Sequence, residues 1–219
     1  MKPRERDTHK GDYGHLFVLA GAMGFTGAAY LTSQASLLSG SGLVTLGIPE
    51  SLNDVMELKL TEVMTLPLKE TGLRTLSTSC EKQVLSFASK VSAIAMGPGL
   101  SRNSDTQRLI RSLVSKITKP LVLDADGINA FEGIGNKLKK RKCQIVITPH
   151  PGEMSRLIGK KTEYIQKNRV SVAKKFSKEI NGVVVLKGHK TVVAYKDMFY
   201  INESGNPGMA TGGVGDVLT

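Results

Sequence analysis

The sequence is poor in aromatic residues. It contains no Trp, and aromatic residues make up 5% of its 219 residues, whereas Gly occurs 23 times. Because aromatic residues are enriched in the strands of β-proteins, this scarcity argues against an aromatic-rich β-sandwich. The balance instead favours an α/β protein with an aliphatic core and many tight turns. A chain of this length buries roughly 70% of its unfolded surface, so a sizeable core is available.

Cysteine and long apolar runs are scarce as well. Cys80 and Cys143 lie far apart without the spacing of metal ligands, so we expect two buried thiols in a reducing cytoplasm and no disulfide. The charged segment 1–15 lacks the apolar core of a secretory signal. No stretch reaches the roughly 18 consecutive apolar residues that a membrane helix needs. The sequence therefore predicts a cytoplasmic protein without a membrane partner.

Positive charge exceeds negative charge, which gives a net charge of +11. Such a balance suits nucleic acid, a membrane surface or a polyphosphate ligand. The one dense basic cluster has no interleaved aromatic residues for stacking on bases, so we interpret it as a solvated helix end and expect no nucleic-acid partner. It comprises Lys137, Lys139, Lys140, Arg141 and Lys142. The charge then favours a small anionic ligand.

Short apolar segments alternate with segments of helical periodicity along the chain. The predicted strands are His15–Leu19, Gly42–Gly47, Ala93–Met96, Pro120–Leu123, Gln144–Ile147, Val183–Leu186 and Thr191–Tyr195. The predicted helices are Gly27–Ser39, Asp105–Ile117 and Thr162–Ile180. Most strands are continuously apolar, which is typical of strands buried on both faces of a parallel sheet. The alternation predicts one three-layer α/β/α sandwich with a mainly parallel sheet, and residues 50–79 are left as loop with some strand or helix.

Two glycine-rich turns follow predicted strands, at the end of a parallel sheet where ligands bind. The segment 20–29, AGAMGFTGAA, has three glycines before a helix start that could approach a phosphate. Close packing of the helix on the sheet would explain these glycines equally well. The Gly97-Pro98-Gly99 turn lets the main chain pass close to a bulky group, or it is an ordinary sharp turn.

Polar residues follow the next two strands. Asp124 and Asp126, with Asn129, could hold Mg²⁺ through water or contact a polar ligand, although Asp126 could also be a helix N-cap. His150 stands between two prolines that hold its loop in place, and Glu153 could begin the next helix or contact a polar ligand. A cap and turn would leave His150 without a purpose, so we expect it to contact a ligand.

The last two segments carry the strongest chemistry. Residues 187–191 predict a hairpin that places Lys187 and Thr191 on an exposed rim, where the lysine could bind phosphate or simply be solvated. In the segment 205–219, three glycines open into a helix-like Val217-Leu218 and could form an anion hole. Asp216 could take a proton from an attacking hydroxyl there, and the alternative is that it caps the helix.

The string GNPGMATGGVGDVLT at 205–219 resembles the signature of the ADP/ATP-dependent NAD(P)HX dehydratases, which are relatives of ribokinase-like kinases. Further matching strings are HKGDYGH at 9–15, AGAMGFTGAA at 20–29, GSGLVTLGIPE at 40–50, MGPGLS at 96–101, LDADGIN at 123–129, ITPHPGE at 147–153 and VVLKGHKTVVA at 184–194. They occur in the family's order and spacing from about residue 9 to the end.

The resemblance implies an enzyme that repairs NAD(P)HX, which is NAD(P)H hydrated on its nicotinamide ring. The family phosphorylates the added hydroxyl of the S-form with ATP or ADP and eliminates phosphate, with Mg²⁺ held mostly by nucleotide phosphates and water. By position, the base would be Asp216, and the anion hole Gly212, Gly213 and Gly215. The nucleotide contacts would be Lys187, Gly188, His189, Lys190, Thr191 and Gly215. The substrate contacts would be Ala28, Gly99, His150 and Asp216.

The resemblance also carries expectations about organisation. Ala22 stands where the family often has Ser, and Val214 where it usually has Thr. Family members continue past the 205–219 motif, so we expect residues 1–219 to form one ribokinase-like domain that lacks its C-terminal helices, and a homo-oligomer, commonly a tetramer. Two other functions stay open: a kinase of a hydroxymethyl or hydroxyethyl heterocycle, and a non-catalytic dinucleotide-binding protein.

Overall fold

A nine-stranded sheet organises the computed structural model, which describes residues 6–219. The strands are β1 His15–Leu19, β2 Leu43–Pro49, β3 Met64–Leu68, β4 Ala93–Met96, β5 Leu121–Leu123, β6 Ile145–Ile147, β7 Val183–Leu186, β8 Val192–Tyr195 and β9 Met198–Ile201. Their order is β3-β2-β1-β4-β5-β6-β7-β8-β9. Strands β1 to β7 pair in parallel, and β8 and β9 continue the sheet antiparallel. The predicted α/β fold with a mainly parallel sheet is confirmed.

Helices pack on both faces of this sheet. They are α1 Thr26–Leu38, α2 Asn53–Lys59, α3 Glu81–Ala88, α4 Ser104–Lys116, α5 Ala125–Asn129, α6 Pro151–Ile158, α7 Thr162–Lys167, α8 Arg169–Ile180 and α9 Val214–Leu218. Helix α4 shows why these segments fold locally: Asn103 Oδ1 accepts a hydrogen bond of 2.9 Å from the Asp105 amide and so caps its start. Its apolar residues Leu109, Ile110, Leu113 and Val114 then recur at helical spacing and are buried.

The predicted elements differ from the structure at two places, and residues 50–79, left as loop with some strand or helix, contain α2 and β3 as expected. The helix predicted at Thr162–Ile180 is two helices, because Asn168 between them has non-helical angles of φ −126° and ψ 30°. Strand β9 was missed because it lies at the sheet edge with three of its four side chains exposed, which removes the apolar signal of a buried strand.

The two faces of the sheet are covered to different extents. One face carries a core that runs the whole width of the sheet and includes Leu123, Ile147 and residues of α3, α4 and α8. The other face has a smaller core under α1 and α2, which reaches as far as Ala95 in β4. Within residues 6–219, the next side chains in that row of paired residues, Val122 and Val146, are half-buried and belong to neither core.

The exposure of individual side chains tests the predictions that were made for the cysteines and for the basic cluster. Cys80 and Cys143 are both buried free thiols, as expected. The basic cluster at 137–142 lies at the end of a short 3-10 helix, and its lysines are exposed. Arg141 differs, because its guanidinium is half-buried and donates to the Asn181 carbonyl at 2.7 Å, at the end of α8. No helix in residues 6–219 is long and apolar enough to cross a membrane.

The order of the strands places the site. Strand order reverses between β1 and β4, which are neighbours although β2 and β3 separate them in sequence. In open parallel sheets the crevice outside the carboxyl ends of the strands at such a reversal is where ligands bind. The loops after β1, β4, β5 and β6 are therefore brought to one edge, together with the hairpin after β7.

Candidate active site

The turn after β4 is packed against its neighbours. Gly97 has φ +136°, and a Cβ atom there would lie 1.8 Å from the Asp124 carbonyl oxygen. Gly99 has φ +63°, and its Cβ would lie 2.7 Å from the Phe25 Cβ and 3.2 Å from the Ala28 Cβ. The bulky group that this Gly-Pro-Gly turn approaches is thus the protein itself. Gly99 and Ala28, the predicted substrate contacts, are neighbours, but Gly99 is buried while Ala28 is half-buried.

Asp124 follows β5 and is 1% exposed. Its Oδ1 accepts a hydrogen bond of 2.7 Å from Lys187 Nζ, and its Oδ2 accepts one of 2.7 Å from Thr219 Oγ1. Lys187 therefore points inward with an 18% exposed side chain, and the prediction of an exposed rim is wrong for it. The buried carboxylate attracts the ammonium group because an opposite charge offsets the desolvation of both.

The second carboxylate and its neighbour tie three loops together. Asp126 Oδ2 accepts from the Ser101 amide at 2.8 Å, and its Oδ1 accepts from Asn129 Nδ2 at 3.1 Å. Asn129 Oδ1 in turn accepts from Arg156 Nε at 3.1 Å. Helix α5 begins at Ala125, so Asp126 lies within the helix and the N-cap alternative is wrong. These groups hold the edge of the site in place, and their role as ligand contacts stays a prediction.

His150 has a structural role that sequence reasoning missed. It is the N-cap of α6, and its Nδ1 accepts from the Gly152 amide at 3.0 Å while the Glu153 carboxylate accepts from the His150 amide at 2.7 Å. The argument that a cap leaves His150 without a purpose is therefore wrong. Burial, and then the positive charges of Lys187 and Arg156, lower the pKa of His150. In the neutral ring Nε2 carries the proton, because Nδ1 accepts from the Gly152 amide. The side chain is half-exposed, and its Nε2 lies 3.4 Å from Glu153 Oε1.

Glu153 is the buried acid of this group, with 5% of its surface exposed. Burial raises its pKa to about 7, and the positive charge of Lys187 opposes that rise. A carboxyl with such a pKa changes its charge near neutral pH. Glu153 does begin the next helix, as the sequence suggested, since it occupies the first turn of α6.

The glycine-rich segment before α9 is open by contrast. A Cβ atom at Gly212 would have no neighbour within 4 Å, and one at Gly215 would meet only Lys187 Nζ, at 3.6 Å. Gly213 is the N-cap of α9 with φ +92°, and a Cβ there would lie 2.6 Å from Leu31 Cδ1. Gly213 is thus required by the local fold, whereas Gly212 and Gly215 leave their surroundings free for a ligand.

Asp216 is the third residue of α9, so the alternative that it caps the helix is wrong. Thr32 Oγ1 of α1 donates to the Asp216 carbonyl oxygen at 3.0 Å and holds this residue against α1. The side chain is half-buried. Burial, and then the negative charge of Asp124, raise the pKa of Asp216, while Lys187 lowers it. Asp124, Lys187 and Asp216 therefore act electrostatically on one another.

The hairpin after β7 is formed as predicted, because β7 and β8 pair antiparallel. Its residues Gly188, His189 and Lys190 are exposed, and Thr191 Oγ1 donates to the Gly188 carbonyl at 3.0 Å. Arg169, which sequence reasoning did not select, donates from its guanidinium to the Leu186 carbonyl at 2.7 Å and supports the base of the hairpin.

Three further residues of the site were missed: Thr32, Arg156 and Thr219. Arg156 follows Glu153 by three positions on α6, so helical spacing could have indicated it. The two threonines make contacts to residues 184 and 95 positions away in sequence, and no local pattern marks them.

The arrangement defines a class of protein. At the carboxyl edge of a mainly parallel sheet, an open glycine-rich segment leads into a helix with an acid in its first turn, and a lysine lies beside that segment. Main-chain amides, an ammonium group and a carboxylate are the groups that transfer of a phosphoryl group to a hydroxyl needs. The fold is that of the ribokinase-like proteins.

Comparisons with known proteins narrow the class. The model of the NAD(P)H-hydrate dehydratase family matches residues 16–219. The ADP-dependent (S)-NAD(P)H-hydrate dehydratase of Neisseria meningitidis is 34% identical, over 100% of this chain and 71% of that relative. The crystal structure of ADP/ATP-dependent NAD(P)H-hydrate dehydratase from Bacillus subtilis, co-crystallised with ATP/Mg²⁺, matches with a TM-score of 0.80 and 31% identity, and covers 100% of this chain and 74% of that chain.

The chain belongs to the NAD(P)H-hydrate dehydratase family. It is also 42% identical over 217 residues to a bifunctional NAD(P)H-hydrate repair enzyme of Moorella thermoacetica, an alignment that covers 99% of this chain and 41% of the relative. The chain thus spans about two fifths of the length of the bifunctional relatives that it matches.

Proposed function

We propose that this protein uses ADP or ATP to dehydrate the S-form of NAD(P)H hydrate and restore NAD(P)H. The observation that carries the proposal is the position of Asp216 in the first turn of α9, beside the open Gly212–Gly215 segment and the Lys187 ammonium group. The family membership supplies the substrate class, and the names of the Neisseria meningitidis and Bacillus subtilis relatives support both nucleotides.

Asp216 acts as the general base in this proposal. Its carboxylate takes the proton from the hydroxyl that was added to the nicotinamide ring, and the hydroxyl oxygen forms a bond to the terminal phosphorus of the nucleotide. The bond between that phosphorus and its bridging oxygen breaks, so ATP leaves as ADP, or ADP as AMP. The phosphorylated ring then loses inorganic phosphate and a ring proton, which regenerates the double bond of NAD(P)H.

The nucleotide lies between the hairpin and α9. Lys187 offers a point charge to a phosphate, the exposed residues Gly188, His189 and Lys190 offer main chain and side chains, and the half-buried Thr191 offers its hydroxyl. The amides of Gly212, Gly213 and Gly215 face the transferred group as an anion hole. These contacts are proposed from the open space at Gly212 and Gly215 and from the short distance to Lys187.

Magnesium would enter with the nucleotide. In residues 6–219 no group of three or more His, Cys, Asp or Glu side chains forms a cage for a metal ion, so the donors present fit an ion that phosphate oxygens and water hold. When bound, Mg²⁺ neutralises charge on the phosphate oxygens.

Ala28, Gly99 and His150 line the proposed dinucleotide side of the site. Ala28 and Gly99 lie at the reversal of strand order, and His150 lies at the start of α6 on the other side of Asp124. A neutral His150 has only Nε2–H as a ring donor, because its Nδ1 accepts from the Gly152 amide. That donor lies 3.4 Å from Glu153 Oε1 and would be shared with an acceptor on the substrate.

Recovery of NADH tests the proposal. Hydrated NADH is incubated with the protein, Mg²⁺ and ADP or ATP, and the return of NADH absorbance is measured together with orthophosphate. Asp216→Asn is expected to lower turnover by about 10²- to 10⁴-fold and to leave nucleotide binding largely intact. Asp197→Asn, at an exposed surface position, is the matched control and is expected to turn over normally.

The other functions give different products. A stable phosphoester without NADH would indicate a kinase of the same fold, and dinucleotide binding without any product would indicate a non-catalytic binding protein. Loss of nucleotide binding in Asp216→Asn, to the same degree as turnover, would assign that residue a structural role.

We also propose that residues 1–219 act as one domain, that the protein is cytoplasmic, and that it assembles as a homo-oligomer with a tetramer as the expected state. The single sheet that joins β1 to β9 supports one domain. The family resemblance suggests the assembly. Sedimentation velocity measures the assembly directly, and a monomer at micromolar concentration would contradict it.

A further inference from the structure

We propose that Asp124 is a positioning residue, whose buried carboxylate holds both Lys187 and helix α9 in the geometry for phosphoryl transfer. Its Oδ1 accepts from Lys187 Nζ and its Oδ2 accepts from Thr219 Oγ1, each at 2.7 Å. Asp124 thus joins two parts of the site that lie on separate elements. The inference rests on the proposed function, since that function assigns the transfer to Lys187 and Asp216.

Asp124 has the rigidity that such a role needs. It follows β5 in the middle of the sheet, and its amide donates to the Met96 carbonyl at 3.1 Å. Its own carbonyl oxygen accepts from the Gly127 amide at 2.8 Å, and Gly97 packs against the same atom. Because its main chain is fixed on both sides, the direction of its carboxylate is fixed as well.

Lys187 and helix α9, the two groups that Asp124 contacts, each need a fixed partner to keep one conformation. A lysine side chain has four rotatable bonds, so a fixed partner is needed to aim its ammonium group. Helix α9 has five residues, too few for stability in isolation. Its side-chain anchors are the bond from Thr32 to the Asp216 carbonyl and the bond from Thr219 to Asp124, which hold the first and last turns respectively.

Both carboxylate oxygens of Asp124 are thereby engaged within the protein, and 1% of the residue is exposed. A group in this state touches other side chains rather than a ligand. Asp126 and Asn129 bond to one another, to Ser101 and to Arg156, and within residues 6–219 neither side chain has a hydrogen bond to Lys187 or α9. The positioning role therefore falls to Asp124 alone among the polar residues of the LDADGIN segment.

Charge provides an independent readout. The charged groups that act on Asp216 are Asp124 from the end of β5 and Lys187 from the end of β7, while α1 contributes the uncharged Thr32. Glu153 and His150 of the α6 start interact with Asp124 and Lys187 in turn. Removing the Asp124 charge removes one cause that raises the pKa of Asp216, so the carboxylate form of Asp216 is favoured at lower pH.

Asp124→Asn is the first test. The amide keeps the shape of the side chain but removes its charge and one acceptor oxygen. We expect kcat to fall on the order of 100-fold because both groups lose their alignment, and the KM for the nucleotide to rise. The acid limb of the pH profile of kcat/KM should also move to lower pH. Asp105→Asn, which weakens an exposed carboxylate–threonine pair with Thr78, is the matched control.

The pH readout separates positioning from general stability. A purely structural role would lower kcat and leave the acid limb where it is. The same shift is measured without turnover by following the Asp216 carboxyl resonance in an NMR titration. An unmoved Asp216 pKa in Asp124→Asn would overturn the inference, whereas absence of NADH recovery in the wild-type protein would overturn the proposed function and leave this titration interpretable.

Thr219→Val is the second test and covers the case in which Asp124→Asn does not fold. It removes the bond from Thr219 Oγ1 to Asp124, together with the 3.1 Å bond from the same hydroxyl to the Gly215 carbonyl, and leaves the Lys187 pair in place. Hydrogen exchange at residues 213–219 should become faster, and kcat should fall by about tenfold, with Thr78→Val as the matched control. Unchanged exchange and unchanged kcat would show that Asp124 does not hold α9, which contradicts the proposal.

Discussion

The two glycine-rich turns at the site edge look alike in sequence but differ in what surrounds them. The turn at Gly97 and Gly99 is filled, since an added Cβ would lie 1.8 Å from a carbonyl oxygen at the first and 2.7 Å from Phe25 at the second. The segment at Gly212 and Gly215 is empty, since an added Cβ would meet nothing or only Lys187 Nζ at 3.6 Å. An added side chain would disrupt the packing of the first pair of glycines, whereas the second pair leaves space for a ligand.

Within the motifs of this family, the difference separates residues that hold the structure together from residues that are proposed to react. Around the filled turn, Asp124 and Asp126 are bonded within the protein, and His150 and Glu153 cap α6 together. These residues form a rigid wall. On the open side, the half-buried Asp216 and the ammonium group of Lys187 lie beside the space at Gly212 and Gly215. The reactive groups are thus presented on the open side and held in place by the wall.

Gly97→Ala should produce the largest effect, because the methyl group would overlap main-chain atoms and φ is +136°. We expect stability to fall by at least about 4 kcal/mol, which leaves little folded protein. Thermal unfolding and soluble yield measure this. Gly133→Ala is the control, since its φ is +67° and an added Cβ meets nothing within 4 Å; it should cost about 1–2 kcal/mol. Equal losses in the two variants would mean that the turn is not filled.

Glu153→Gln tests the rigid wall at a residue whose charge depends on pH. The pKa of Glu153 is raised to about 7 in the folded protein from 4.5, so the folded state keeps a proton that the unfolded state has released between those pH values. The wild type therefore loses stability as pH rises from about 4.5 to 7, and the Gln variant lacks this loss. The stability difference between them should shift by about 3 kcal/mol in favour of Gln.

Urea unfolding of both proteins at pH 4 and pH 8 measures that shift. Glu203→Gln, at an exposed position, controls for the removal of one negative charge. If the difference between wild type and Glu153→Gln were the same at both pH values, Glu153 would not be the buried acid of the wall.

Much of this fold could be predicted because its signals are local. Continuously apolar runs indicated most of the strands, and helical spacing indicated α1 and α4 to within one or two residues. Strand β9 escaped because an exposed edge strand needs no apolar run. The break at Asn168 escaped because the apolar period of α7 and α8 continues across it.

The residues of the site could be predicted one by one, but the hydrogen bonds between them could not. The loops that carry Asp216 and Lys187 were found from glycines and from family resemblance, and both lie at the predicted edge of the sheet. That Lys187 turns inward to Asp124 depends on residues 63 positions apart meeting in space, which no local pattern encodes. The role of His150 as a cap was missed because an imidazole is an unusual N-cap, less common than Ser, Thr, Asp or Asn.

Gly215→Ala should produce the smallest change in stability and separates the two turns most directly. Its methyl group would fit at an ordinary contact distance from Lys187 Nζ, and an alanine within α9 restricts the unfolded chain, so stability should rise by about 0.5–1 kcal/mol. The same methyl group would occupy the space in which the nucleotide phosphate is proposed to bind, so the KM for ADP or ATP should rise at least tenfold. Gly72→Ala, whose added Cβ meets nothing within 4 Å, should leave that KM unchanged. Thermal unfolding and initial rates over a nucleotide series measure both quantities. A Gly215→Ala variant with lower stability and an unchanged KM would show that Gly215, like Gly97, is needed for packing. A methyl group that leaves stability intact can raise the KM only if the nucleotide occupies the space beside Gly215.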